Sequence, residues 1–425
     1  MARRRLDQVD AMRPIKQAGV ISTHSVQYFA PAAALVASNA ALLLLHVSRE
    51  GFFFISACML TYAYADMRVA GLRRFYWRRF VAVVIPYACW TLIYFVYPWT
   101  AWHYPNMPAA LRGLATIAYT GYEQLYFLLV IMQFYLVFPL VLMLLRWMRN
   151  HHGLVIAVAA AAQVGLAIAI HWNLLPPLML KWEQQDALSY LLYLIGGAVV
   201  AFHLDKVHDW VCRHTAMIVG LTVLAALAAE AVYFLAQDGV TTVLGSGSDP
   251  FQPSVIPFNV GAITCGYLAG VALVRRGRSR RTRAFVRSAS DNAYGIYLTQ
   301  MLFISWLSWH HWVHLDSVLP WPLVCLLTVL IVFACGIVLT SLLARTPLAV
   351  PLTGRTQQPW STLIPPRWRP AAARPAPGAA AIPSPAALPD PAPAALLAPA
   401  ALPAPAPAER APGVLAGLTS EGNGA

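Results

Sequence analysis

Arg13 and His24 have side-chain types and a spacing that could do chemistry. They bracket ten residues in the stretch Asp10-Ala-Met-Arg13-Pro-Ile-Lys-Gln-Ala-Gly-Val-Ile-Ser-Thr-His24. On an α-helix those eleven steps turn through about 1100°, about 20° past three full turns, so the two side chains share a face. They stand about 16 Å apart along the axis, roughly half of a hydrocarbon core about 30 Å thick. A permanent cation at a membrane surface, in line with an imidazole near the midplane, suits an elongated anionic ligand entering end-on. Histidine has the unperturbed pKa closest to neutrality, as a general base requires. Each residue alone has a plainer role, a packed histidine or an arginine anchoring the start of a span; their alignment favours function. Asp10 and Pro14 fit a helix start, the one capping amides and the other tolerated in the first turn.

The elements that must position them are membrane helices. Of the 425 residues, 59% are hydrophobic and only 11% charged, against roughly a quarter charged in soluble domains. Mean hydropathy is +0.58, and the apolar residues come in runs long enough to cross a bilayer. The pattern predicts an all-α, polytopic transmembrane bundle of about ten spans, near 14–36, 42–65, 78–98, 124–145, 153–171, 187–203, 216–236, 257–274, 293–309 and 321–343. The second is expected to be interrupted at Arg49-Glu50-Gly51. The polar Ser22, Thr23, His24, Ser25 and Gln27 make the first run a retained span, not a cleaved leader.

The net charge of +13 does not indicate nucleic acid, because its placement follows topology. With the N-terminus inside, the inner segments carry Arg3–Arg5, Arg13, Lys16, Arg68, Arg73, Arg74, Arg78, Arg79, Arg146, Arg149, Lys206, Arg213 and the seven arginines between Arg275 and Arg287. The outer segments carry only Arg49, Arg112 and Lys181. Both termini are therefore expected in the cytoplasm of a bacterial-type cytoplasmic membrane. The Arg275–Arg287 cluster reads as anchoring or attraction to anionic lipid. The membrane domain is expected over 1–345, with 346–425 a Pro/Ala-rich disordered cytoplasmic tail.

Ionisable groups inside spans are costly and are functional candidates by default. Arg49 and Glu50 read either as a self-compensating pair or as groups that orient an acceptor and assist a tetrahedral intermediate. Glu230 reads equally as a protonated or paired carboxylate or a functional one, and Glu123 as interfacial. His310-His311-x-x-His314 among tryptophans reads as interfacial packing and not as a metal site, and Trp99, Trp102, Trp309 and Trp312 as an aromatic belt. Six cysteines lack Cys-x-x-Cys spacing, which argues against disulfides and zinc.

Asp10-x-x-Arg13, ten residues, then His24 resembles the first-span motif of the integral-membrane acyltransferase family 3. Further stretches are similar to that family in the same order. They are Arg49-Glu50-Gly51-Phe52-Phe53-Phe54-Ile55-Ser56, Arg78-Arg79-Phe80 with Ile85-Pro86-Tyr87, Leu125-Tyr126-Phe127-Leu128 with Tyr135 and Pro139, and Asn292-Ala293-Tyr294-Gly295-Ile296-Tyr297-Leu298. The chain departs from the family at Ala57-Cys58, where Gly-Phe is usual, and at Gln300, where many members carry histidine. The likeness covers roughly residues 7–345.

The resemblance implies an O-acyltransferase that uses acyl-CoA as co-substrate, with no permanently bound cofactor. Arg13, Arg78 and Arg79 would meet the donor's phosphates at the cytoplasmic surface, where guanidinium forks suit phosphate oxygens. His24, aligned with Arg13, would serve as general base or acyl carrier. Arg49, Glu50, Ser56 and Tyr297 complete the expected substrate-binding set. The acceptor would be a hydroxyl-bearing glycan, glycolipid or natural product. A transporter or flippase for a lipid-linked saccharide, using the same polar residues as a path, is the competing reading; a catalytically dead scaffold is a third.

Overall fold

The structure, a computed structural model, describes residues 6–97, 104–237, 251–276, 280–310, 315 and 318–360. Arg3–Arg5, Trp99, Trp102, His311, Trp312, His314, Asp316 and the tail beyond 360 lie outside the described residues, as do the side chains of Arg278, Arg280, Arg281 and Arg283. No strand occurs among the described residues. Helices run α1 (Asp7–Phe29), α2 (Leu35–Leu45), α3 (Val47–Tyr64), α4 (Leu72–Arg79), α5 (Ile85–Val96) and α6 (Met107–Thr120). They continue with α7 (Tyr126–Trp147), α8 (His152–His171), α9 (Pro177–Lys181), α10 (Leu191–Val200) and α11 (Leu204–Arg213). The chain then forms α12 (Thr215–Gln237), α13 (Ile256–Arg276), α14 (Arg280–Trp309), α15 (Trp321–Leu343) and α16 (Ala349–Thr353).

Seven of these stretches are long and apolar enough to cross a membrane, and α10 with α11, bent by 104°, makes an eighth if the pair is one span. The protein is thus an integral-membrane helical bundle. The sequence-based count of about ten also included α1 and α14, which are long enough at 23 and 30 residues but more polar. Their polarity is explained by position: α1 packs against α2, α3, α13, α14 and α15, so its polar residues face protein and not lipid. By contrast α15 (Trp-Pro-Leu-Val-Cys-Leu-Leu and on) is apolar on every side, as a span facing lipid must be.

Three local features differ from expectation. First, α1 starts at Asp7, so Pro14 lies inside it and Asp10 does not cap it. Asp10 instead pairs with Arg13 one turn on, at 3.1 Å. Second, the break in the second span falls at His46, between α2 and α3, and leaves Arg49 and Glu50 buried in the first turn of α3. Third, the packed chain continues past 345. Trp90 Nε1 donates to the Leu352 carbonyl at 3.0 Å, and the Gln358 amide to the Ala344 carbonyl at 2.8 Å.

A π-helical turn over Phe80–Val84 joins α4 to α5. Pro86 has no N–H and its ring would strike the carbonyl of Ala82, so the chain widens just before it. That turn offers the Ala82 carbonyl to Gly354, which closes α16 with φ +65°; a Cβ there would stand 2.6 Å from the Ala82 oxygen.

Candidate active site

The centre of the bundle is a polar seam between α1 and its neighbours. Gln17 donates to Gln300 Oε1 at 3.0 Å, both side chains fully buried, and so ties α1 to α14. Lys16, buried, runs its stem along Gly51, where a Cβ would come within 2.6 Å of it, and interacts electrostatically with Glu50. Arg49 holds Glu50 Oε1 through Nε at 3.1 Å and Nη2 at 2.6 Å, and donates through Nη1 to Tyr126 Oη at 3.3 Å. Its guanidinium also stacks over Tyr190, 4.9 Å from the ring centroid. Lys16, Arg49 and Glu50 together leave one excess positive charge inside the bundle, where low polarity amplifies its pull on an anion.

Two cavities open beside this seam. The first, of about 200 Å³, is lined by Arg13, Arg79 and Arg355, by Ser56, Met59 and Phe127, and by Ser290, Asp291, Tyr294 and Tyr297. Its cations outnumber its single carboxylate. Arg79 is buried, donates to Tyr64 Oη at 3.1 Å, and lies over the rings of Tyr64 and Tyr135 at 5.2 and 5.3 Å. Arg355 donates to the Asp291 carbonyl. Tyr297 spends its hydroxyl on the Gln124 carbonyl, so it offers the cavity its ring.

The second cavity, of about 640 Å³, is polar. Thr23, Gln27, His46, Glu123, Gln184 and Gln185 line it. Gly121 (φ +74°) and Glu123 (φ +42°) form the tight turn that leads into α7 and presents Glu123 there. A Cβ on Gly121 would collide with the Tyr126 amide at 2.4 Å. Tyr28 donates to Glu123 Oε1 at 3.4 Å.

Val20, His24, Arg49 and Tyr126 line both cavities. His24 Nδ1 lies 3.0 Å from Gln27 Oε1, an oxygen that only accepts, so Nδ1 carries the proton and the neutral ring keeps a lone pair on Nε2. His46 is oriented in the same way, its Nδ1 donating to the Leu42 carbonyl at 2.5 Å. A base, a guanidinium and a phenol thus meet where a narrow, cationic chamber adjoins a wide, polar one. That set is suited to moving a group from one bound molecule to another.

Of the residues singled out from sequence, Arg13, His24, Arg49, Ser56, Arg79 and Tyr297 line the narrow chamber. Glu50 does not; it sits behind Arg49. Arg78 is half-buried and is not among the lining residues of either chamber. Glu123, expected to be merely interfacial, lines the wide one. His310 stacks on Trp306 with centroids 4.3 Å apart, and Glu230 lines neither chamber. Tyr126, Ser290, Tyr294, His46 and Arg355 were not picked out as site residues. Tyr126 and Tyr294 lay in quoted motifs, but nothing in the spacing of His46 or Arg355 marks a site.

A helical bundle of membrane-spanning length thus holds an imidazole where two chambers of different chemistry adjoin. The sequence pattern of the acyltransferase domain of family 3 matches residues 6–340, and the chain belongs to that family. It is a membrane acyltransferase. No curated protein and no solved structure gives a significant match to the chain.

Proposed function

We propose that the protein is an O-acyltransferase that takes an acyl group from an acyl-CoA-type thioester on the cytoplasmic side and delivers it to a hydroxyl of a sugar- or glycan-type acceptor. The observation that carries this reading is the position of His24 and Arg49 in both cavities. About 200 Å³ is below the usual size of a drug-sized pocket, about 300–1,000 Å³, and fits a thin thioester arm. About 640 Å³ with amide, imidazole and carboxylate walls fits a polyhydroxylated unit. The distribution of lysine and arginine supports a cytoplasmic position for the Arg13 end.

His24 Nε2 removes the proton from the acceptor hydroxyl as its oxygen attacks the thioester carbonyl carbon. The carbonyl oxygen becomes an oxyanion facing Arg49 and Tyr126, where fixed donors stabilise the developing charge. Three of the N–H bonds of Arg49 serve Glu50 and Tyr126, leaving two of its five for the oxyanion. Collapse breaks the carbon–sulfur bond, and the leaving thiolate recovers the proton from His24. Transfer through an acyl-histidine uses the same Nε2, and acid-quenched mass spectrometry would trap that species.

Replacing His24 with Ala in folded protein should lower acyl transfer by about 10²–10⁴-fold, read as base-labile ester in envelope glycans and glycolipids of complemented cells. Retained activity, or an acceptor that crosses the membrane without gaining mass, overturns the reading.

A further inference from the structure

Four buried polar atoms of residues on the wall of the narrow chamber have no hydrogen-bond partner: Arg79 Nε, Ser290 Oγ, Tyr294 Oη and Gln124 Oε1. Buried polar groups are nearly always satisfied, and each exception needs an explanation. Here the four belong to α4, to α14 and to the turn that leads into α7, and converge on one cavity. Arg79 and Ser290 are only 5% and 4% exposed. The first three are able to donate and Gln124 Oε1 accepts, so what satisfies them must supply acceptor oxygens and an N–H or O–H. The remaining wall is aromatic and aliphatic, with Met59, Phe127 and Tyr297 among its residues. The complement of such a wall is a thin, mostly apolar arm bearing carbonyl oxygens at intervals.

We propose that Arg79, Ser290 and Tyr294 form a subsite for the amide-bearing phosphopantetheine arm of the donor, distinct from whatever holds its nucleotide or carrier. This rests on the thioester-donor reading above and deepens it. Arg79 Nε, Ser290 Oγ and Tyr294 Oη donate to the amide carbonyls of the arm and fix how far its sulfur reaches toward His24. Donors that share this arm come from two sources, free coenzyme A and a carrier protein, and the subsite reads only what they have in common.

The test is binding to the full-length protein in lipid nanodiscs, which needs neither the acyl group nor the acceptor to be known. Coenzyme A, adenosine 3′,5′-bisphosphate (the same nucleotide without the arm) and holo-acyl carrier protein are titrated against wild type, Ser290→Ala, Tyr294→Phe and the double variant. Each substitution deletes a hydroxyl that has no partner in the protein, so the variants should melt at or above the wild-type temperature. In wild type the arm should add affinity over the bisphosphate. Each substitution should weaken coenzyme A binding about fivefold, and the double variant should bring it close to the bisphosphate. If coenzyme A binds and the double variant keeps the full ratio, the subsite is wrong while the donor reading stands. If neither coenzyme A nor the holo-carrier binds wild type, the donor reading itself fails. Tight binding of the holo-carrier with weak binding of coenzyme A keeps the subsite and identifies the carrier as the source.

Discussion

The two chambers that share His24 are built from opposite materials. The narrow one sets arginines and unpartnered hydroxyls in an aromatic wall; the wide one, apart from the shared Arg49, is walled mainly by neutral amides, two imidazoles and one carboxylate. On the function proposed above, the difference separates chemistry, assigned to one imidazole and one guanidinium at the junction, from recognition, which is divided. On that proposal, charge and length are read on one side and hydroxyl pattern on the other. Substitutions should therefore sort by chamber, and a result that crosses between them breaks the comparison.

The largest separation is expected at His46. His46→Ala removes the second Nε2 lone pair of the wide chamber and should raise the acceptor KM about tenfold, the worth of one well-made hydrogen bond. Coenzyme A affinity should move little. An equal loss in donor binding would show that the two chambers are one site. A smaller and opposite effect is expected at Gly354→Ala. The left-handed backbone disfavours a side chain there, and the Cβ would press on Ala82; a strain of about 1 kcal/mol displaces Arg355 and weakens coenzyme A about fivefold. Acceptor KM should hold, and steady-state kinetics on both substrates decide it. The smallest catalytic effect is expected at the Gln17–Gln300 tie, which faces neither chamber. Leucine at one position strands the other buried amide and should cost about 1–3 kcal/mol of stability, while leucine at both is close to neutral. Thermal unfolding checks this, and a large loss of transfer in the stable double variant would place Gln300 in the chemistry after all.

Much of this was legible from residues alone. Apolar runs located nearly every long helix, because a bilayer imposes length and hydropathy on each span independently of its neighbours. The shared face of Arg13 and His24 followed from helical geometry, which no tertiary contact alters. What hid was set by packing between distant elements. The polarity of α14 keeps half of its 30 residues below any hydropathy signal, yet that half carries Ser290 and Asp291. His46 gains its place from a break between two helices that are continuous in composition. Arg78 and Arg79 are adjacent and chemically identical, so only the turn of α4 decides that Arg79 lines the chamber. Arg355 lies beyond the last apolar run, where composition already resembles the tail.

The Trp90–Leu352 bond joins residues 262 positions apart, and Gln17–Gln300 joins residues 283 apart. The narrow chamber is consequently walled by α1 and by a segment made after α15. During elongation Arg49 must wait in the membrane for Tyr126 and Tyr190, and Gln17 for Gln300. A nascent chain stopped short of Gly354 would carry every span among the described residues and still lack Arg355 from the wall of the narrow chamber. Activity should therefore switch on late and abruptly in a series of growing truncations, somewhere between the end of α15 and residue 360, well after membrane insertion is complete.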